Sequence, residues 1–387
     1  MNVLGGVCIN VCTFGFVNSY VFQEYYSQTL LPGSSASALS WIGSIQYALT
    51  FFPGLFTGRL FDLGHFRIPM LIFSVILVVS TLLVAECKSY WQFLLCQGFA
   101  IGLCSGILFG PTLNCIAHWF GRRRSTAYGI VAAGSSLGGT IFPIIIRNLI
   151  PRVGFPWTMR IVAFILLVFI GIANLSLRRR LPPVNVSGGL FNLRIFKYKP
   201  YTIYTISGFF TFLGLYTVLT YIDSSAAFYG VSPNLSFYLV AIANASSSMG
   251  RVMSGIVSDR IGPLNSVIPM TLVAALLTYA WPYARSATPL IIIAILYGFS
   301  SGAFVSLLSI PVVSMGDMGD VGRRQGMLFS LLAIGAVLGP PISGVINTAT
   351  HGYTAVGFYA GSMVLAGAAL MTTSRALVTG HILRGQA

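Results

Sequence analysis

The chain is expected to be an all-α polytopic membrane protein whose twelve transmembrane helices form two six-helix pseudo-repeats. Three observations point there. Apolar runs of about 20 residues, the length that crosses a bilayer core as a helix, recur from one end of the chain to the other. Only 7% of the 387 residues are charged and 56% are hydrophobic, whereas a soluble chain carries about 25% charged residues. Loop motifs of the first half also return in the second. The runs are continuous, which specifies helices, because barrel strands alternate and are only about ten residues long.

The spans fall near 3–22, 40–60, 68–86, 91–113, 125–147, 157–177, 201–222, 235–256, 265–284, 289–312, 326–347 and 354–373. Charged residues punctuate them. Arg59 and Asp62 close the second and Arg67 opens the third; Lys88 precedes the fourth, and Arg122, Arg123 and Arg124 separate it from the fifth. Arg147 and Arg152 mark the turn into the sixth, and Arg178, Arg179 and Arg180 end it. Asp223 follows the seventh, Asp259 and Arg260 the eighth, Arg285 the ninth, and Arg323 and Arg324 precede the eleventh.

Cations decide orientation. With both termini cytoplasmic, five of the 22 Lys and Arg residues lie outside (Lys88, Arg147, Arg152, Arg160 and Arg285) and seventeen inside. The positive-inside rule selects that arrangement and accounts for the net charge of +15. Nucleic acid is not expected as a partner, since no basic stripe with interleaved aromatics exists. The partners expected are the lipid bilayer, a small-molecule substrate and, as an option, protons, with the protein a monomer; the plasma membrane is the expected location and a vacuolar or other internal membrane the alternative. The six cysteines form no Cys-x-x-Cys pair and the four histidines no cluster, so no metal or cofactor is expected. No paired carboxylates or nucleophile–base set enters the spans, so no enzyme is expected.

The longest inner loop divides the chain into 1–177, a linker at 178–200, and 201–387. Gly121-Arg122-Arg123, Gly134 and Leu137-Gly138 return as Gly322-Arg323-Arg324, Gly335 and Leu338-Gly339 at a constant offset of 201 positions. Gly58 precedes Asp62 by the same four residues that separate Gly255 from Asp259. Parallel repeats of this kind build transporters with the substrate site between them. An aspartate just past a span can sit at a helix N-terminus or pair with arginines. Gly58, Asp62, Arg122, Arg123, Asp259, Arg323 and Arg324 are therefore the candidate gate, latching the inner side.

At these residues the chain resembles the major facilitator superfamily, through Gly58-Arg59-Leu60-Phe61-Asp62-Leu63-Gly64. More narrowly it resembles the fungal monocarboxylate porter-like family. Trp119-Phe120-Gly121-Arg122-Arg123-Arg124, Ala133-Gly134-Ser135-Ser136-Leu137-Gly138-Gly139, Asn244-Ala245-Ser246, Gly250-Arg251 and Asp259-Arg260 carry that likeness. The resemblance implies a carrier that alternates between inward-facing and outward-facing states, with cargoes ranging from organic acids to exported secondary metabolites. It also implies that Arg251 holds a substrate carboxylate. Two parts of the family pattern are missing. Ser247 stands where relatives place an aspartate four residues before the arginine, and no lysine occupies the first span, where Asn18 lies near the expected position.

Arg251 lies eight residues before Asp259, roughly 12 Å up the helix, where a cation faces a cavity or a partner. The remaining substrate-binding candidates are Asn18, Gln97, Tyr216, Tyr297 and Ser301, with Asn10 and Tyr221 beside them. Each is a polar group at hydrocarbon depth that should face protein or cavity. Asp223 is the candidate for proton coupling. The leading expectation is a secondary transporter of a small organic molecule, an anion being one option, with export of a secondary metabolite favoured over uptake. The alternative is uptake of a monocarboxylate or vitamin-like nutrient, and a remote one is a transporter-like sensor.

Overall fold

The computed structural model describes all residues except 18–24, 32–35, 184–188, 190–192 and 381–387. It is built of helices, and no strand occurs among the described residues. Among the described residues, eight helices are long and apolar enough to cross a membrane. The longest, Arg124–Ser176, is two helices joined at Gly154, whose φ of 75° breaks the helical path. Proline and glycine explain several further boundaries. The second span is split into Ala36–Phe51 and Gly54–Asp62 on either side of Pro53, which has no N–H to continue the ladder. Gly64 and Gly262, at φ 96° and 97°, turn the chain just after Asp62 and Asp259, a backbone that side chains with a Cβ rarely adopt. The fourth span, Tyr90–Trp119, opens on a Ser89–Gln92 capping box. The first and fourth spans widen into π-helical stretches at Val11–Gly15 and Leu94–Ile101.

The seventh to twelfth spans contain the helices Lys199–Phe228, Pro233–Ile261, Pro263–Ala280, Ala287–Leu307, Val321–Thr350 and Thr354–Thr379. One hydrophobic cluster, including Phe16, Phe61, Phe93 and Phe142, comes only from helices before the linker. A larger one joins Phe14, Phe51 and Tyr128 of that N-terminal set to Tyr204, Phe212 and Phe329 of the C-terminal set. The third span, Arg67–Val84, turns Ile68, Leu71, Val75, Val79 and Leu83 outward, an apolar face suited to lipid. Trp281 belongs to a residue type common at the membrane interface, yet it lies inside the protein. It is fully buried and donates its indole N–H to Ser225 Oγ at 3.0 Å.

The two sets meet along backbone-to-backbone seams made by small residues. A Cβ on Gly58 would stand 2.1 Å from the carbonyl oxygen of Gly322, and one on Gly326 would stand 2.3 Å from that of Gly54. At the second seam Gly255 lies equally tight against the Ser125 carbonyl, at 2.5 Å. Within the N-terminal set Gly134 and Gly138 pack on Val7 and Val11, and within the C-terminal set Gly335 and Gly339 pack on Phe209 and Leu213.

Candidate gate and substrate cavity

Both motif aspartates cross from one set of helices to the other, at the arginine-rich end. Asp62, beyond the apolar part of the second span, accepts the backbone N–H groups of Gly322 at 3.0 Å and Arg323 at 2.9 Å. These are orphan donors of the first turn of Val321–Thr350, where the helix dipole favours an anion. Burial pushes the Asp62 carboxyl up to about 6, although the two N–H bonds act against that rise. Asp259 accepts the N–H groups of Ser125 at 2.8 Å and Thr126 at 2.9 Å, and the Thr126 hydroxyl at 2.6 Å. It therefore caps the first turn of the fifth span.

The arginines do other work than facing these carboxylates. Arg323 donates from Nε to Asp320 at 2.6 Å, and Arg324 reaches the carbonyls of Val312 and Val313 at 3.3 and 3.5 Å. Arg122 and Arg123 are exposed. Arg179, read from sequence only as a topological charge, donates to the carbonyls of Phe61 at 2.6 Å and Asp62 at 3.2 Å. Its guanidinium also lies 5.1 Å from the centre of the Phe61 ring. Trp119 donates to the Arg178 carbonyl at 2.6 Å, so the start of the linker is pinned to the N-terminal set. Sequence reasoning missed Ser125, Thr126 and Arg179. A run of Ser-Thr just after three arginines was the available signal for the first two.

Between the sets, above this end, lies a narrow cavity of about 30 Å³. Arg251 and Asn10 line it, together with Ser135 and a group of phenylalanines. Arg251 is buried. It donates to the Ala132 carbonyl at 2.8 Å, to Ser135 Oγ, and from Nε to Ser247 Oγ at 3.2 Å. All of these acceptors are neutral. The ion pairs Arg160–Glu86 and Arg323–Asp320 do not involve Arg251. Close by, Gln325 of the C-terminal set donates to the Tyr128 hydroxyl at 3.2 Å, which in turn donates to the Leu113 carbonyl at 2.9 Å.

The other candidates are placed differently. Tyr216 stands next to the cavity wall, its ring 5.5 Å from Phe212 and 5.0 Å from Tyr47 across the interface. Gln97 belongs to a chain within the N-terminal set, accepting from Tyr26 at 2.5 Å and donating to Gln46 at 3.5 Å. Tyr297 donates to the Leu215 carbonyl, Ser301 to that of Gly298 at 3.3 Å, and Tyr221 to that of Pro340 at 2.9 Å. These three bonds stay within the C-terminal set. Asp223 is exposed and accepts from Ser224 at 2.9 Å. Asn18 lies outside the described residues.

Apolar helices packed in two sets around a cavity that holds a buried cation are the architecture of a membrane carrier. The family model described as Major Facilitator Superfamily matches residues 3–316. The chain belongs to that superfamily, and is thus an integral membrane transporter of a small molecule. It is 39% identical over 383 residues to MFS-type transporter 1 of Ophiocordyceps sp. (strain BCC 1869), covering 98% of this chain and 85% of that protein. It is 38% identical over 385 residues to the fujikurins efflux protein of Gibberella fujikuroi, covering 98% and 83%. Over 373 residues it is 34% identical to the aspyridones efflux protein of Emericella nidulans, covering 96% and 76%. Among solved structures it superposes on the human organic anion transporter MFSD10 with a TM-score of 0.75. That match has 18% identity and covers 96% and 98% of the two chains; at that identity the likeness is one of fold.

Proposed function

We propose that this protein is a secondary efflux carrier that moves an organic anion, a secondary metabolite, out of the cell by alternating access. One observation carries the reading: Arg251 is buried in the cavity between the helix sets with only neutral acceptors around its charge. A cation in that setting attracts a substrate carboxylate, and a desolvated guanidinium–carboxylate pair is strong and directional. The efflux proteins among its relatives support the direction of transport. Residues 1–177 and 201–387 act as the two rocking halves, joined by the linker at 178–200. Asp62 and Asp259 hold the inner side shut, with both termini in the cytoplasm and the carrier, a monomer, in the plasma membrane. Arg251 is the principal substrate contact, with Tyr216 at the edge of the site. Asp223 is the acid placed to take up a proton at the outer end.

The test compares metabolites inside and outside cells with the gene deleted, restored, and restored as Arg251→Ala. Deletion should trap one acidic compound inside, and Arg251→Ala should lower its export about tenfold or more at equal membrane level. Arg251→Lys should recover part of that export. Unchanged export by Arg251→Ala would remove the arginine from the site.

A further inference from the structure

We infer that the exported acid carries an aromatic ring beside its charge, and that Phe51 is the residue that selects for it. The inference rests on the anion reading above and adds the chemistry of the uncharged part of the substrate. Five phenylalanines line the cavity that holds Arg251: Phe14, Phe51 and Phe109 from the N-terminal set, and Phe212 and Phe329 from the C-terminal set. They touch in a closed network. Phe14 lies 4.9 Å from Phe51 and 4.6 Å from Phe109, with the rings tilted by 67° and 66°. Phe51 lies 5.4 Å from Phe212 at 86°, and Phe109 lies 5.5 Å from Phe329. Phe51 is the hub, because it also reaches Phe109 at 6.5 Å and Phe329 at 6.2 Å.

Edge-to-face pairs place the positive rim of one ring on the negative face of another, which gives them a value beyond the area they bury. Three ring pairs join the two sets: Phe51–Phe212, edge to face at 86°, and Phe51–Phe329 and Phe109–Phe329, tilted at 50° and 47°. They must separate when the latched end opens. A substrate ring seated among them replaces the lost contacts with contacts of the same kind, while its carboxylate meets Arg251. A saturated acid of equal charge satisfies Arg251 but leaves the phenylalanine faces without an aromatic partner. Were the five rings only a plug, they would exclude water equally well with either acid bound.

The experiment measures calorimetric affinities of 2-naphthoate and of its saturated counterpart, decahydro-2-naphthoate, for the full-length purified protein in lipid nanodiscs. The naphthoate should bind about 3- to 10-fold more tightly. Phe51→Leu should bring the ratio close to one while changing the affinity of the saturated acid by less than about twofold. Equal wild-type affinities overturn the aromatic preference and leave the anion reading intact. An unchanged ratio in Phe51→Leu overturns the role of Phe51. Binding of neither acid overturns both the preference and the anion reading. Phe109→Leu is measured the same way, so that the ratio is tested even if the Phe51 variant is not monodisperse.

Discussion

The two aspartate caps are built from the same motif, yet they grip positions one helical turn apart. Asp62 binds the N–H groups of Gly322 and Arg323. The repeat offset of 201 makes Gly121 and Arg122 the counterparts of those residues, but Asp259 binds Ser125 and Thr126 instead. The cause lies in where each helix begins. In the eleventh span Asp320 pairs with Arg323 three residues later, and the helix is already formed at Val321. The counterpart of Asp320 is Trp119, which ends the preceding helix and cannot neutralise Arg122, so the fifth-span helix starts only at Arg124. Each aspartate therefore follows the exposed N–H groups wherever the helix starts, and not the Gly-Arg-Arg motif. The environments differ too. Asp62 is buried beneath Arg179, whereas Asp259 is half-buried and gains a hydroxyl donor from Thr126.

The largest effect should come from the first seam. Gly58→Leu drives a side chain into the backbone of Gly322, a clash with no flexible atom to yield. Transport should fall more than about tenfold, and a cysteine placed at Ser309, which lines the cavity, in a background without native cysteines, should become reactive from the arginine-rich side. Retained transport with normal membrane levels would show that this seam need not close. Next, Asp62→Ala should shift the same reactivity about tenfold and Asp259→Ala about threefold, since only the first leaves two fully buried N–H groups unpaired. Equal shifts would cancel the distinction between the two caps.

The smallest effect concerns pH. In the latched form the Asp62 carboxyl is held at about 6, while in a water-filled open form it returns towards the ordinary range near 4. The latched form therefore binds the proton more tightly, and it gains as pH falls from 7 towards 5 and loses as pH rises through 6. Asp320, Arg323 and Arg179 are the charged groups that face it. Acidifying the arginine-rich side should protect the reporter cysteine about fivefold. Asp62→Asn, neutral at every pH, should abolish the response, and a response that survives this change would place the titrating group elsewhere.

The helical spans were legible because lipid imposes a length and a hydropathy on each crossing. The aspartates were legible because their spacing from Gly58 and Gly255 repeats. Their partners were not. Charge complementarity in sequence suggests arginines, but backbone N–H groups leave no mark on residue identity, and the arginines turned to nearby carbonyls and to Asp320. Arg251 was visible as a cation at depth, whereas its acceptors are the Ala132 carbonyl and Ser135 hydroxyl of the fifth span and the Ser247 hydroxyl one turn back on its own helix. The phenylalanine network was invisible for a different reason. Its rings come from five spans, and each alone is indistinguishable from a phenylalanine that faces lipid.

The break at Gly154 has a mechanical meaning. The fifth and sixth spans turn directly into one another there, with no slack between Arg152 and Phe155. Phe155 is wedged against Tyr25, Tyr26 and Phe93, and Arg160 is tied to Glu86 at 2.5 Å. A piston stroke of the fifth span would have to drag the sixth span and the top of the fourth with it. The span that receives Asp259 at one end and Arg251 partway along is thus free to tilt but not to slide, so the loosening of one grip is felt as a rotation at the other.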